Sequence, residues 1–174
     1  MSTIIITGGD AGAVTRFKTQ MKNTFCMSDL GLLSYYLGLE VTQGAHGITL
    51  WQGAYATKIL EKAGLAACNP SATPMEMKLK LLKEGSTPSV DATEYRSLIG
   101  SLRYLCNSRP NLAYAVGYLG RFMEAPCQEH LVAVKRVLRY VAAMLHWGVH
   151  YHPGGKNGAA LKLLGYSDQC YHKR

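Results

Sequence analysis

The side chains best suited to metal-assisted catalysis are the eleven Asp and Glu, and they are scattered along the 174 residues. No two are adjacent, and the sequence contains no Asp-Asp or Asp-X-Asp pair. Metal-assisted phosphoryl transfer needs two or more carboxylates that converge on divalent cations. The sequence therefore gives no positive sign of such a site. The alternative is a site that folding assembles from carboxylates distant in the sequence.

Histidine and cysteine side chains give no stronger sign of a site. His150 and His152 share one face of a predicted strand near His146, but no third ligand stands at a spacing typical of zinc sites. Polar residues on a solvated strand are the simpler interpretation. The five cysteines are widely spread and form no Cys-X-X-Cys pair, which favours reduced thiols over a disulfide framework or a zinc finger.

Two short motifs resemble catalytic or phosphate-binding patterns only superficially. Cys127 and His130 lie one helical turn apart, which suits a nucleophile and its base, but Pro126 marks the start of a helix there. We therefore expect a structural role for the pair. The glycine-rich segment 154–158 contains a lysine, yet it lacks the P-loop spacing and precedes a predicted strand, so we expect a turn.

Basic side chains give the strongest signal for binding. The formal net charge is +8, and residues 131–174 hold seven Lys and Arg against one Asp. Some of these cations lie opposite the apolar face of a predicted helix, beside Tyr140, and two arginines share a flank of another helix. Such arrays bind phosphate backbones without reading bases, whereas the alternative is an ordinary solvated helix surface. The candidate contacts are Arg96, Arg103, Lys135, Arg136 and Arg139.

Hydrophobic periodicity predicts an α+β fold whose C-terminal half is mainly helical. β-Branched or alternating residues predict strands, and apolar residues repeating every three or four positions predict helices. In the N-terminal part we expect a buried strand over 4–7, a helix over 10–25, a β-hairpin over 34–42 and 48–51, and a short helix over 54–63. In the C-terminal part we expect helices over 91–105, 110–123 and 126–145, then strands over 147–152 and 161–166.

Apolar stripes on three of these helices identify the candidate core. In the N-terminal helix the stripe contains Val14, Phe17, Met21 and Phe25. In the first C-terminal helix it contains Tyr95, Leu98, Ile99, Leu102 and Leu105. In the third C-terminal helix it contains Leu131, Val134, Val137, Leu138, Val141, Met144 and Leu145.

Residues 68–90 are rich in Pro, Gly, Ser and Thr, which predicts a joint between subdomains with only a brief helix over 77–83.

Hydrophobic residues make up 48% of the chain and charged residues 17%, which excludes disorder as a whole. No apolar run is long enough to span a membrane, and the N-terminus has no secretory signal pattern. We expect an intracellular protein, cytoplasmic or nuclear, that makes no membrane contact.

Several ordered motifs carry a resemblance to a known family. They are IIITG at 4–8, MSDLG at 27–31, YLGLEV at 36–41, YRSLIGSLRYL at 95–105, SRP at 108–110, VLRY at 137–140 and GYSD at 165–168. In this order the chain resembles the Pol polyprotein of copia-type LTR retrotransposons, over about residues 4–168. The resemblance implies the C-terminal part of a reverse transcriptase running into the start of RNase H.

The resemblance implies four segments. They are a palm remnant with a primer-grip hairpin over 1–67, a linker over 68–90, a helical thumb over 91–146 and the truncated start of an RNase H domain over 147–174. Tyr36, Leu37 and Gly38 resemble part of the hairpin that presses the primer strand toward the active site.

The resemblance also implies that catalytic residues are missing. Ser2 and Thr3 stand where the family has the two aspartates that bind catalytic magnesium. Asp168 resembles the first metal-binding carboxylate of RNase H, but as a lone remnant it cannot position two metals. Asn111 also departs from the family, which usually has an acid after Arg-Pro. No cofactor is expected, although the intact parent enzyme uses Mg²⁺.

The hypothesis from the sequence is an inactive reverse transcriptase fragment that at most binds a DNA or RNA duplex weakly and without sequence preference. One alternative is a subunit-like piece of an active reverse transcriptase and RNase H, complemented by a fuller copy of the enzyme. Another is an inert, degenerate reading frame.

Overall fold

The structure is a computed structural model, and it describes residues 4–83, 85 and 87–152. Within this part the helices are α1 (Ala11–Thr24), α2 (Gly53–Lys62), α3 (Ala92–Leu105), α4 (Ala113–Leu119) and α5 (Gln128–Ala142). The strands are β1 (Tyr35–Tyr36), β2 (Leu39–Gly44), β3 (Gly47–Trp51) and β4 (Gly148–Tyr151). Short 3₁₀ helices, Pro110–Leu112 and Gly120–Phe122, flank α4. The α+β class predicted from the sequence is confirmed.

One hydrophobic core joins α2, α3, α4 and α5. The predicted stripe of α3 is confirmed, since all five of its residues are buried. On α5 the central positions of the predicted stripe are buried as well. The helix itself ends at Ala142, three residues before the predicted end, and a turn follows. Residues Ala56, Ile59 and Leu60 of α2 belong to the same core.

Local sequence signals place the helix starts correctly. Asp10 caps α1 by accepting a hydrogen bond from Gly12 N at 2.8 Å, and Asp91 caps α3 by accepting one from Thr93 N at 2.7 Å. Gly64 follows α2 with a φ of +67°, a conformation that favours glycine at a helix end.

The four strands form one antiparallel sheet in the order β1-β2-β3-β4. The predicted hairpin is confirmed, with Gly44 paired to Gly47 across a two-residue loop. The single alternating strand predicted over 34–42 is wrong, because the chain reverses between β1 and β2 at Leu37 and Gly38. Both residues have positive φ, +47° and +78°, as a tight hairpin turn of this hand requires.

Two other predicted elements are absent. Residues 4–7 form no strand, because no strand of the described residues pairs with them, and Ile4 and Ile5 remain about half exposed. Residues 77–83 form no helix. Helix α1 forms as predicted, but none of its residues is buried, so its apolar stripe meets no core in the described part of the chain.

The segment predicted as a joint lies against the helices. Ser71 N donates to Arg139 O at 3.2 Å, Val90 N donates to Pro126 O at 3.0 Å, and Gln128 N donates to Pro88 O at 3.0 Å. The subdomain limits proposed from the sequence stay predictions. Contacts cross them, because α2 shares a core with α3, α4 and α5, and β4 pairs with β3. The predicted strand over 161–166 and the turn over 154–158 lie outside the described residues. No helix in the described part of the chain is long and apolar enough to cross a membrane.

Candidate nucleic-acid interface

The basic side of α5 carries three of the five cations predicted to bind nucleic acid. Lys135 is exposed and has no ion pair within the described residues. Arg136 is held at Glu76, with 2.9 Å between Nη1 and Oε1, and its Nη2 donates to Thr73 Oγ1 at 3.1 Å. Arg139 Nε donates to Asn69 O at 2.7 Å. Two of the three cations therefore also hold the 69–76 segment in place.

A second basic cluster lies where α3 meets the 3₁₀ helix after α4. Arg96 Nε donates to Met123 O at 2.9 Å. The Arg103 guanidinium lies against Gly120, where a side-chain Cβ would come within 2.8 Å of Nη2. Arg121 extends over the Tyr118 ring, 5.8 Å from its centroid. The sequence singled out Arg96 and Arg103 but missed Arg121, whose only signal was its position one turn after Tyr118.

The turn between β1 and β2 docks on α3. The Tyr104 hydroxyl donates to Leu37 O, and a Cβ at Gly38 would lie 3.4 Å from the Tyr104 ring. Tyr104 also packs edge-on against Tyr55 of α2, with 5.0 Å between ring centroids. The Leu37 side chain is 68% exposed, and Tyr36 is half-buried. The turn that contains Leu37 and Gly38 is therefore held against α3.

The carboxylates of the described residues mainly serve local structure. Asp10 and Asp91 cap helices, and Glu40 Oε1 accepts from Ala54 N at 2.9 Å at the start of α2. Asp29 pairs with Lys18, with 3.1 Å between Nζ and Oδ2. A hydrogen bond from the Gly31 amide, followed by the one from Lys18, lowers the pKa of Asp29 below its ordinary value.

The Cys127 and His130 pair forms a buried helix cap. Cys127 N donates to His130 Nδ1 at 3.1 Å, and His130 Nε2 lies 3.0 Å from Leu82 O. Because a backbone N–H can only donate, Nδ1 is the acceptor and the ring proton is on Nε2. The lone pair of Nδ1 is therefore already used, and the Phe122 ring stacks on the imidazole at 4.0 Å. This geometry supports the predicted structural role.

The C-terminal histidines are held by the sheet. His150 Nδ1 lies 2.8 Å from Thr49 Oγ1, and Nε2 lies 3.1 Å from His46 O. His152 packs edge-on against His150, with 4.4 Å between ring centroids. Within residues 4–152, apart from the two undescribed positions, no group of three His, Cys, Asp or Glu is arranged to hold a metal ion. Asp168, Ser2 and Thr3 lie outside the described residues.

A buried polar cluster went unnoticed in the sequence. Arg109 is 2% exposed, and its Nη2 donates to Leu145 O at 3.0 Å, while Nε and Nη1 have no hydrogen-bond partner in the described part of the chain. Burial lowers the pKa of this guanidinium. Ser108, which precedes Arg109 in the chain, donates from its Oγ to Gln52 Oε1 at 2.7 Å. No carboxylate within 4 Å compensates the Arg109 charge among the described residues.

Comparison with known proteins shows similarity to retrotransposon proteins. A family model described as "Reverse transcriptase (RNA-dependent DNA polymerase)" matches residues 1–77. The "Retrovirus-related Pol polyprotein from transposon RE1" of Arabidopsis thaliana is 37% identical over 165 residues, which cover 95% of this chain and 11% of that polyprotein. The corresponding polyprotein from transposon TNT 1-94 of Nicotiana tabacum is 34% identical over 147 residues, with 79% and 11% covered.

A shorter relative covers much of the same sequence. An uncharacterized mitochondrial protein of Arabidopsis thaliana is 34% identical over 153 residues, which cover 88% of this chain and 63% of that protein. No solved structure matches the chain. The chain thus spans only 11% of the length of the two Pol polyproteins described above.

Proposed function

Because this chain belongs to the reverse transcriptase family of retrotransposon Pol polyproteins, we propose that it binds the phosphate backbone of a nucleic-acid duplex and contributes no chemistry of its own. The basic side of α5 supports this proposal most directly. Lys135 and Arg139 are exposed there, and Arg136 on the same side pairs with Glu76. Exposed cations on a helix face attract a polyanion, because binding releases the counterions condensed on the polyanion.

The finer assignment of subdomains belongs to the same proposal. In it residues 1–67 act as a palm remnant, 68–90 as a linker, 91–146 as a thumb and 147–174 as the start of RNase H. The docking of the Leu37–Gly38 turn on Tyr104 supports this assignment, because it holds the hairpin beside the arginine-bearing helix α3. A duplex could then contact Tyr36, Leu37 and Gly38 together with Arg96 and Arg103.

The proposed lack of catalysis rests on the acidic side chains. The described residues do not bring a set of ligands together that fits a pair of magnesium ions. Several of their carboxylates are used as helix caps or ion pairs, and the sequence resemblance places Ser2 and Thr3 at the catalytic aspartates. We therefore propose no cofactor for this chain and derive no metal-dependent step.

The proposal is tested by the salt dependence of duplex binding. Fluorescence anisotropy of a labelled DNA–RNA duplex, titrated with the full chain at several salt concentrations, gives the slope of log K against log salt. Replacing Lys135 by Ala removes one phosphate contact without touching the core, so the slope should become shallower by about 1. The decrease in affinity should be similar for unrelated sequences, because phosphate contacts carry no sequence information.

A matched control separates this face from the total charge. Lys22 is also exposed, and it lies in α1. Lys22→Ala removes the same charge and should leave the slope unchanged. Equal effects of the two substitutions would show that charge alone matters, and an unchanged slope for Lys135→Ala would remove α5 from the interface.

A second candidate function is assembly with further polypeptide, and the apolar face of α1 favours it. Phe17 is 42% exposed and Phe25 54% exposed, while Val14 and Met21 of the same stripe are only half-buried. We propose as the alternative that a fuller copy of the enzyme covers this face. Primer extension by the longer enzyme should then rise when this chain is added and fall back with Phe17→Asp. Extension no greater than that of the longer enzyme alone would contradict the alternative.

A further inference from the structure

Helices α4 and α5 carry three tyrosines, Tyr114, Tyr118 and Tyr140, and the side chain of Tyr114 is exposed to solvent. Tyr118 accepts a hydrogen bond from Leu81 N at 3.0 Å, and the Tyr140 hydroxyl accepts one from Asn111 Nδ2 at 3.0 Å. Tyr114 lies one helical turn from both Asn111 and Tyr118, and its side chain is 77% exposed. It makes no hydrogen bond within the described residues. Its ring is therefore available to another molecule.

An open pocket of about 290 Å³ lies beside this ring. It is lined by residues 75–79 and Tyr114. Met75 and Leu79 pack against the core, whereas Met77 is 90% exposed. The pocket thus offers one aromatic ring and two methionine side chains, a combination that suits a flat apolar group.

The wall formed by residues 75–79 is held in place from both sides. Arg136 binds Glu76 and Thr73 at 2.9 and 3.1 Å, and Tyr118 donates to Leu79 O at 3.5 Å. Lys78 has a backbone φ of +60°, a conformation that residues other than glycine rarely adopt. Such conformations persist where the surroundings impose them, and they cluster at ligand-binding sites.

The charge around the pocket favours an anionic ligand. Lys78 lines it, Lys80 is exposed two residues along the chain, and Arg121 lies over the neighbouring Tyr118 ring. The one acid of the lining, Glu76, is paired with Arg136. A flat apolar group joined to a negative charge is the chemistry of an unpaired nucleotide, whose base stacks on an aromatic ring while its phosphate meets a cation.

We propose that Tyr114 and residues 75–79 bind one unpaired base of a single-stranded segment, with Lys78 at the adjoining phosphate. This site rests on the proposed function, since it presupposes that the chain binds nucleic acid. It adds a contact that distinguishes single strands from duplexes, which the basic side of α5 does not. Sequence preference is not expected, because every base presents a π face.

The test compares two ligands of identical duplex sequence, one blunt and one with a single-stranded overhang. Anisotropy titrations with the full chain should show that Tyr114→Ala weakens overhang binding roughly 5- to 150-fold, the loss of one stacked base. Binding of the blunt duplex should not change. Tyr114→Trp should keep overhang binding, because it retains the aromatic face. Since Tyr114 is exposed, circular dichroism should show the same folding transition for all three proteins.

The outcomes separate this site from the proposed function. If Lys135→Ala weakens both ligands and Tyr114→Ala weakens neither, duplex binding stands and the stacking site is refuted. If Tyr114→Ala weakens both ligands equally, the site does not select single strands and is refuted as well. If the unaltered chain binds neither ligand, both proposals fail. Binding of an acidic, aromatic-containing peptide at Tyr114, without overhang binding, would replace the nucleotide by a protein ligand.

Discussion

Replacing Tyr95 by Phe tests how the helical core is held together. The Tyr95 side chain is fully buried, and its hydroxyl donates to Leu119 O at 2.9 Å, at the end of α4. Leu119 is where α4 passes into the 3₁₀ helix Gly120–Phe122, so the bond from Tyr95 ties this junction to α3. Removing the hydroxyl takes away one buried hydrogen bond, which should lower the free energy of unfolding by about 0.5–1.5 kcal/mol at neutral pH.

The same substitution should change the response to alkaline pH. Burial, and to a smaller extent the charge of Cys127, raises the pKa of Tyr95 above its ordinary value. In the unfolded chain a tyrosine ionises near about pH 10. Above that pH the unfolded state has lost a proton that the folded state keeps, so stability falls by at most about 1.4 kcal/mol per pH unit. Tyr95→Phe lacks this contribution, so its deficit relative to the unaltered protein should shrink above about pH 10.

Urea unfolding followed by far-UV circular dichroism, from neutral to strongly alkaline pH, measures this difference directly. Tyr114→Phe is the matched control, because its ring is 77% exposed and its hydroxyl makes no hydrogen bond within the described residues. The control should stay close to the unaltered protein at every pH. A Tyr95→Phe deficit that stays constant or grows with pH would refute the reasoning.

Three further substitutions have expected outcomes. Leu102→Ala removes a fully buried side chain between the helices and should cost about 2–5 kcal/mol in urea unfolding, against at most about 0.5 kcal/mol for exposed Val132→Ala. Gly38→Ala forces a side chain into a φ of +78°, 3.4 Å from Tyr104, and should cost about 1–2 kcal/mol, seen as faster amide exchange in the hairpin. Arg109→Met removes a buried charge whose Nε and Nη1 have no hydrogen-bond partner among the described residues, so urea unfolding should show stability unchanged or up to about 2 kcal/mol higher. A loss of similar size would contradict this expectation.

Local patterns in the sequence predicted the helical core well. The stripe of α3 repeats at helical spacing, and Asp91 supplies the cap that begins the helix, so both signals lie within a few residues of each other. The hairpin between β2 and β3 was predictable for the same reason, since its loop and its alternation are local.

What the sequence missed depends on distant partners. The β-branched residues 4–7 have the composition of a strand, but a strand needs another to pair with, and none of the described residues provides one. The backbone of the Pro- and Gly-rich stretch bonds to Arg139 and to residues 126–128, which are distant in sequence. No periodic pattern reveals such contacts.

In the candidate site, too, features set by local helical spacing could be predicted, whereas contacts between distant residues could not. The basic face of α5 follows from helical spacing, but the pairing of Arg136 with Glu76 joins residues sixty positions apart. Tyr114 and Tyr118 lie one turn apart on α4, and Arg121 follows three residues later in the 3₁₀ helix, so that spacing was the available signal. The surroundings of Tyr114 could not be predicted, because residues 75–79 reach it through an irregular loop.

The central claim is that this chain binds a nucleic-acid duplex through contacts to its phosphate backbone. The most direct measurement is the affinity of the full chain for two duplexes of unrelated sequence, titrated over a range of salt concentrations. We predict equal affinities and a slope of log K against log salt between about −2 and −5, as expected for a few phosphate contacts. No binding at low salt, or binding that is independent of salt, would contradict the account.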